Sequence, residues 1–339
     1  MKPTKFAKYL SEYLTVYLPN ERGYSINTVC AYRDNMKLFL TFMRDVYHIG
    51  ADKLDFKDIS QERVRTYLDW LETNRQNSIS TRNSRLSSLH AFFRFMLYRS
   101  PDHLHEWHRI LAIKVKRVPI ATVVYLTQEG IKLLLDQPDI TKIKGRRDLV
   151  LLSLMYESAG RVQEIADLTP SKVHFGKPTT LRIIGKGNKT RIVPISEQGA
   201  NLLHQYMDER GLLNDWANEK PLFDNGQGNK LSRKTIALII KKYSVKARQK
   251  NPFIIPEGVS PHSIRHSKAM MLQEAGLNLV YIRDFLGHSS VTTTEIYARI
   301  GTRQKIEAIE KTALSLNTET LPIWQQNKGM LQWLESLGK

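Results

Sequence analysis

The chain has 339 residues, 51 of them lysine or arginine against 33 aspartate or glutamate, giving a formal charge of +18 and a pI near 9.8. An excess of that size favours a polyanionic partner, nucleic acid first. There is no run of about 18 apolar residues and no apolar stretch behind Met1-Lys2-Pro3-Thr4-Lys5, so neither a membrane span nor a secretory signal is expected.

The single cysteine, Cys30, excludes an internal disulfide and fits a reducing compartment; a small buried residue on a helix is expected there, not a nucleophile. The length suggests two domains. Residues 1–109 read as helices throughout. Lys5–Leu18 carries Phe6, Leu10, Tyr13, Leu14 and Tyr17 at helical spacing. Ser25 and Asn27 offer caps for a long helix to about Tyr47, with Val29, Tyr32, Met36, Phe39, Leu40 and Met43 as its apolar stripe. Ser60 begins a third helix that buries Val64, Tyr67, Leu68 and Leu71. A fourth, from Ser80 to about Tyr98, buries Leu86, Leu89, Phe93, Met96 and Leu97 and turns Arg82, Arg85 and Ser88 outward. These make a four- or five-helix domain with cationic outer faces. Over 110–126 the helical signal stops: Lys114, Lys116 and Arg117 alternate with apolar residues and Pro119 follows, as in an extended linker. Its cations can touch phosphates, which give affinity and register but no sequence information; a merely solvated linker fits the same residues.

The second half mixes elements. Thr127 caps a short helix, and Arg147–Ser158 is a strongly apolar one that Gly160 ends. Arg161 opens the next, to Leu168, and Thr169-Pro170 starts a turn. Residues 180–184 and 190–194 alternate as two strands around the tight turn Gly185-Lys186-Gly187-Asn188-Lys189. Helices are expected at about 196–208, 232–248, 261–275, 278–285 and 291–298, with Tyr281 in the core. The fold class is therefore mainly α with a small antiparallel β-sheet.

Six residues carry chemistry: Arg161, Lys186, His262, Arg265, His288 and Tyr297. Cations and imidazoles in that number suit a phosphate whose charge rises in a transition state, with a phenol to attack it. Ser260 caps a helix with Pro261 at its first position, so His262 and Arg265, three apart, share a face of the first turn beside backbone N–H groups that favour an anion. His262 and His266 also have the spacing of a zinc pair, but no third ligand accompanies them in a recognisable pattern and no metal is assigned. The Gly185–Lys189 loop lacks the Gly-Lys-Ser/Thr ending of a P-loop.

Taken in order, these residues resemble the tyrosine site-specific recombinases of the phage-integrase family. The first box is matched by Glu157-Ser-Ala-Gly-Arg161-Val-Gln-Glu164-Ile-Ala-Asp-Leu168, and the hairpin lysine by Gly185-Lys186-Gly-Asn-Lys-Thr-Arg-Ile-Val-Pro194. The second box is matched by Pro261-His262-Ser-Ile-Arg265-His266-Ser267, then Leu286-Gly287-His288, then Tyr297. Ala159-Gly160 stands where a Thr-Gly pair is frequent, and the tail after Tyr297 is long. The resemblance covers roughly 5–300. It implies a helical core-binding domain (1–109), a linker (110–126), a mixed α/β catalytic domain (127–300) and a C-terminal helical tail (301–339) that docks on a neighbouring protomer.

The resemblance further implies Arg161 and Arg265 on the scissile phosphate and Lys186 as general acid. It puts His262 and His288 beside the reacting groups and makes Tyr297 the nucleophile, joined to a 3′-phosphate with neither metal nor ATP. DNA contacts from Arg82, Arg85, Lys114, Lys116 and Arg117 are expected. So are double-stranded DNA with inverted-repeat core sites, a homotetramer, accessory DNA-bending or directionality proteins, no cofactor, and a prokaryotic cytoplasmic, nucleoid-associated location. A type IB-like topoisomerase would use similar residues, and a DNA-binding regulator would use none for chemistry.

Overall fold

A computed structural model describes residues 3–118, 123–287 and Thr294, with the backbone at Lys186. The chain divides into two compact units, Met1–Ala121 and Thr122–Lys339. None of the described helices is long and apolar enough to cross a membrane.

The first unit is all helical: α1 (Lys5–Glu12), α2 (Ile26–Tyr47), α3 (Gln61–Thr73), α4 (Ile79–Arg99) and α5 (Leu104–Leu111). Side-chain oxygens of Thr4, Ser25, Ser60 and Ser78 cap the first four, each accepting a backbone N–H of the first turn. The first helix stops earlier than its apolar spacing suggests. At Tyr13 it widens into a π-helical stretch to Glu21 that contains Pro19, whose missing N–H the wider turns accommodate. The core is rich in rings: Phe6, Tyr13, Phe39, Phe42, Phe92, Phe93 and Trp107 are fully buried. They meet edge-on, as Phe6–Phe92 at 5.8 Å and 74°, or stacked, as Phe93–Trp107 at 5.0 Å and 29°; each such pair adds about 0.5–1.5 kcal/mol beyond burial.

Three expectations are corrected here. Helix α5 continues to Leu111 and buries Ile110, so the connecting segment starts later than residue 110. Cys30 is half-buried. Arg82 points inward at 6% exposure, because it lies four residues before Leu86 and seven before Leu89 on the buried stripe of α4.

The second unit packs α6 (Gln128–Leu135), α7 (Ile143–Ser158), α8 (Val162–Ala166), α9 (Glu197–Glu209), α10 (Arg233–Lys250), α11 (Pro261–Glu274) and α12 (Leu279–Leu286) with a small sheet. Thr127, Ser196, Ser232, Ser260 and Asn278 cap five of these helices. The sheet is antiparallel in the order β1 (Val173–His174), β2 (Thr180–Ile184), β3 (Thr190–Pro194), with Ile183 opposite Arg191 and Leu181 opposite Val193. Strand β1 has two residues and no periodicity to find in sequence. Leu181, Ile183 and Val193 face the core while Ile192 faces out, the alternation expected of a sheet covered on one side.

Helix α7 is closed by Ala159, in the left-handed conformation at φ 45°, and not by Gly160. Gly160 is needed for a different reason: a Cβ there would lie 2.5 Å from Ile165 Cδ1. Tyr281 is 68% exposed, contrary to expectation, because Leu279, Ile282 and Leu286 take the inward face of α12.

Candidate active site

The site grows from the α7–α8 junction. The left-handed turn at Ala159 reverses the chain so that Arg161 stands at the start of α8. Glu164, one turn on, has a side chain only 5% exposed. Its Oε2 accepts the Arg161 backbone N–H at 2.9 Å and Arg191 Nη2 at 2.7 Å, and its Oε1 accepts Arg161 Nη1 at 2.8 Å. Burial raises the carboxyl's pKa, but the hydrogen bond and charge of Arg191, with Arg161 behind, outweigh it and hold Glu164 below the ordinary carboxylate range. Glu164 is thus an ionised post that orients two guanidiniums. Arg161 keeps a third of its side chain exposed and donates Nη2 to the Gly287 carbonyl at 3.1 Å.

Arg265 lies on the first turn of α11, which Ser260 and Ser263 secure reciprocally, with Pro261 at the first helical position. It is 3% exposed. Nη1 donates to the Ala159 carbonyl and Nη2 to the Leu286 carbonyl, both at 2.6 Å. Leu286 and Gly287 carry terminal carbonyls of α12 that no further helical turn can satisfy, and cations are favoured at that end of a helix. Both arginines therefore grip the C-terminal end of α12, the step before His288. Gly287 is left-handed there, at φ 65°.

Lys186 opens a short 3-10 turn at the hairpin tip, where Gly187 and Asn188 have φ 73° and 58°. The base of that hairpin abuts the same post: a Cβ on Gly185 would lie 3.2 Å from Glu164 Oε1. His262 is exposed on the turn that carries Arg265, its ring 6.3 Å from that of His266. Burial first, then the charges of His262 and Arg265, push His266 down to about 4. Among the described residues no group of three or more His, Cys, Asp or Glu could hold a metal ion.

The structure thus brings together Arg161, Arg265 and the hairpin base beside Lys186, with His262 exposed three residues before Arg265 on α11; His288 and Tyr297 lie outside the described residues. Sequence reasoning missed Arg191, whose side chain is 11% exposed on Glu164. Its signal was register: it pairs with buried Ile183, and an arginine on a strand's inward face needs a buried counter-charge.

The expected DNA contacts fare unevenly. Lys114, Lys116 and Arg117 are exposed. Arg82 is buried against Glu72, its Nε 3.3 Å from Oε1, and is not an outward cation. Arg85 is half-buried and hydrogen-bonded to the Asn35 carboxamide oxygen.

The architecture is a helical unit followed by a mixed unit in which two arginines grip one helix end and the base of a lysine-bearing hairpin abuts the carboxylate that holds one of them. That is the layout of a phosphoryl-transfer enzyme acting on a nucleic-acid backbone. Residues 124–303 match the phage integrase family, and residues 10–100 match its N-terminal SAM-like domain. The tyrosine recombinase XerD of Staphylococcus epidermidis is 32% identical over 296 residues, 87% of this chain and 95% of that one. XerD of Lacticaseibacillus casei is 31% identical over 297 residues, with the same coverage. The structure of the Tn1549 transposon integrase in complex with transposon right end DNA has the same fold, with a TM-score of 0.68 at 16% identity, covering 89% of this chain and 98% of that one. The chain belongs to the phage integrase family: it is a tyrosine recombinase, an enzyme of site-specific DNA strand cleavage and rejoining.

Proposed function

We propose that Tyr297 attacks a scissile phosphodiester of double-stranded DNA at a core site flanked by inverted repeats. Its phenolic oxygen forms a bond to phosphorus as the bond to the 5′-oxygen breaks. Arg161 and Arg265 hold the non-bridging oxygens, where planar, permanently charged forks match the growing charge. Lys186 gives the departing 5′-oxygen its proton, His262 takes the proton of the phenol, and His288 donates to the phosphate. The 3′-phosphotyrosyl link conserves the bond, so a 5′-hydroxyl of a second strand can reverse the step without ATP or a metal.

The observation that carries this reading is the shared grip of Arg161 and Arg265 on the carbonyls of Gly287 and Leu286, next to His288. Glu164 and the Gly287 carbonyl fix Arg161, and the Ala159 and Leu286 carbonyls fix Arg265, before substrate arrives; preorganised charge of this kind is commonly the largest catalytic term. A guanidinium has five N–H groups, so holding Glu164 and Gly287 leaves Arg161 with donors for a phosphate.

In the same reading residues 1–111 bind DNA as the core-binding domain and 112–126 connect it to the catalytic domain, 127–300. The tail, 301–339, docks on the next protomer of a tetramer, and the enzyme works in the cytoplasm on an integrating, excising or resolving element. DNA as the partner is supported by the chain's basic charge and by the DNA held in the related Tn1549 integrase structure. The test is a suicide duplex that traps the cleaved strand. Wild type should yield a covalent protein–DNA adduct and joined heterologous strands, and Tyr297→Phe should bind but yield no adduct. An adduct from the Phe variant would move the nucleophile elsewhere, and Tyr281, exposed on α12, is the first residue to test then.

A further inference from the structure

We propose that Asn83, backed by Arg82 and Glu72, is a positioning residue for DNA binding that fixes the path of the basic connecting segment as it leaves the first unit. The proposal rests on the DNA reading above and deepens it. Asn83 sits near the start of α4 and holds both backbone groups of Lys116. Its Nδ2 donates to the Lys116 carbonyl at 2.7 Å, and its Oδ1 accepts the Lys116 N–H at 3.0 Å. One carboxamide thereby makes the two-bond pairing that a neighbouring strand would make. The Lys116 ammonium is taken separately, donating to Glu72 Oε1 on α3 at 2.6 Å.

Arg82 explains why this clasp holds its shape. Its Nε lies 3.3 Å from the same Glu72 oxygen, and its Nη1 donates to Asn83 Oδ1 at 3.1 Å. A buried cation thus braces both partners of Lys116. Three residues earlier Ile113 is packed into the first core at 6% exposure, so the segment is held at two successive points. Lys114 and Arg117, on either side of Lys116, stay exposed along this fixed path. Downstream the Leu126 N–H donates to the buried Ser267 Oγ of the second unit at 2.8 Å. The connection between clasp and second anchor is therefore residues 117–125, a length that reaches about 35 Å at full stretch. Ordering Lys114 and Arg117 before DNA arrives removes part of the entropy that binding would otherwise cost.

The test compares full-length wild type with Asn83→Ala, which loses both hydrogen bonds, and Asn83→Asp, which keeps the acceptor but not the donor. Native-state trypsin cleavage after Lys114, Lys116 and Arg117 should rise about 5- to 150-fold in Asn83→Ala, the change in open population expected from two lost hydrogen bonds. Asn83→Asp should show a smaller rise. Affinity for a random-sequence DNA duplex should fall about 2- to 12-fold in Asn83→Ala. The salt slope should stay as in wild type, because a neutral carboxamide releases no counterion.

Unchanged cleavage in both variants would show that the clasp is not closed in solution. Faster cleavage with unchanged affinity would reduce it to a trim of the first unit, and a flatter salt slope would make it a direct phosphate contact; each overturns the proposal. If wild type itself binds no duplex, the DNA reading fails, and the trypsin comparison still decides whether the clasp exists.

Discussion

Arg265 donates to the carbonyl oxygen of Ala159 at 2.6 Å, which ties the second arginine of the site to the backbone two residues before the first. The two boxes that carry these arginines are separated by about a hundred residues, and this bond sets their spacing. It also makes Arg265 a structural residue as well as a site residue. Its Nη2 holds Leu286, so removing the side chain leaves two carbonyls without a side-chain donor among the described residues.

Arg265→Ala should therefore destabilise the fold by about 2–6 kcal/mol, the cost of two unsatisfied buried acceptors at about 1–3 kcal/mol each. Arg161→Ala should cost much less, since a third of that side chain is exposed. Both should lose most adduct formation. Urea unfolding alongside the suicide-duplex assay separates the two effects; equal stability of the variants would refute the structural role of Arg265.

Glu164→Gln should lose the charge that steadies Arg161 and Arg191, at a cost of about 3 kcal/mol near neutral pH. The pKa of Glu164 is lowered on folding, so its ionised form contributes stability above the ordinary value of 4.5. That contribution disappears as pH falls through the folded value. The gap between wild type and variant should thus narrow on acidification below 4.5. A gap that widens there contradicts the assignment.

Gly287→Ala should be harmful on two counts. A left-handed alanine at φ 65° costs about 1–2 kcal/mol, and its Cβ would stand 3.0 Å from Arg191 Nη1. Because Gly287 carries one of the two arginine-held carbonyls and directly precedes His288, adduct formation should fall further than the loss of stability explains. Thermal unfolding and single-turnover cleavage, measured together, decide this.

His266 should make stability fall on mild acidification. Its pKa drops from 6.5 to about 4 on folding, so the unfolded chain binds the proton first, and stability declines as pH goes from 6.5 towards 4. Below that value this group adds no further loss. His266→Gln should flatten that part of the profile of thermal midpoint against pH; an unchanged slope would locate the effect in another group.

Much of the fold was legible because caps and strand alternation are local. Ser25, Ser60, Thr127 and Ser260-Pro261 each begin the helix their chemistry suggests, and residues 180–184 and 190–194 pair as two strands. What could not be read depends on partners distant in sequence. The spacing of Arg82 put it on the buried stripe of α4, but its charge suggested the surface; the counter-charge that resolves the conflict is Glu72, on another helix. Arg191 and Glu164 likewise justify each other only once β3 and α8 meet. The left-handed Ala159 has no sequence signature, since the glycine beside it is the residue one would choose for that turn.

The grip of Asn83 on Lys116 touches only atoms that almost every amino acid shares. The connecting segment is thus held by its main chain, and its side chains are left free to vary. Position 116 could exchange its lysine for nearly any residue and keep the same route, giving up only the Glu72 ion pair. Proline is the exception, because it has no N–H to offer. A lineage of this enzyme could therefore retune the charge of its connecting segment towards a new DNA site without rebuilding the path that carries it.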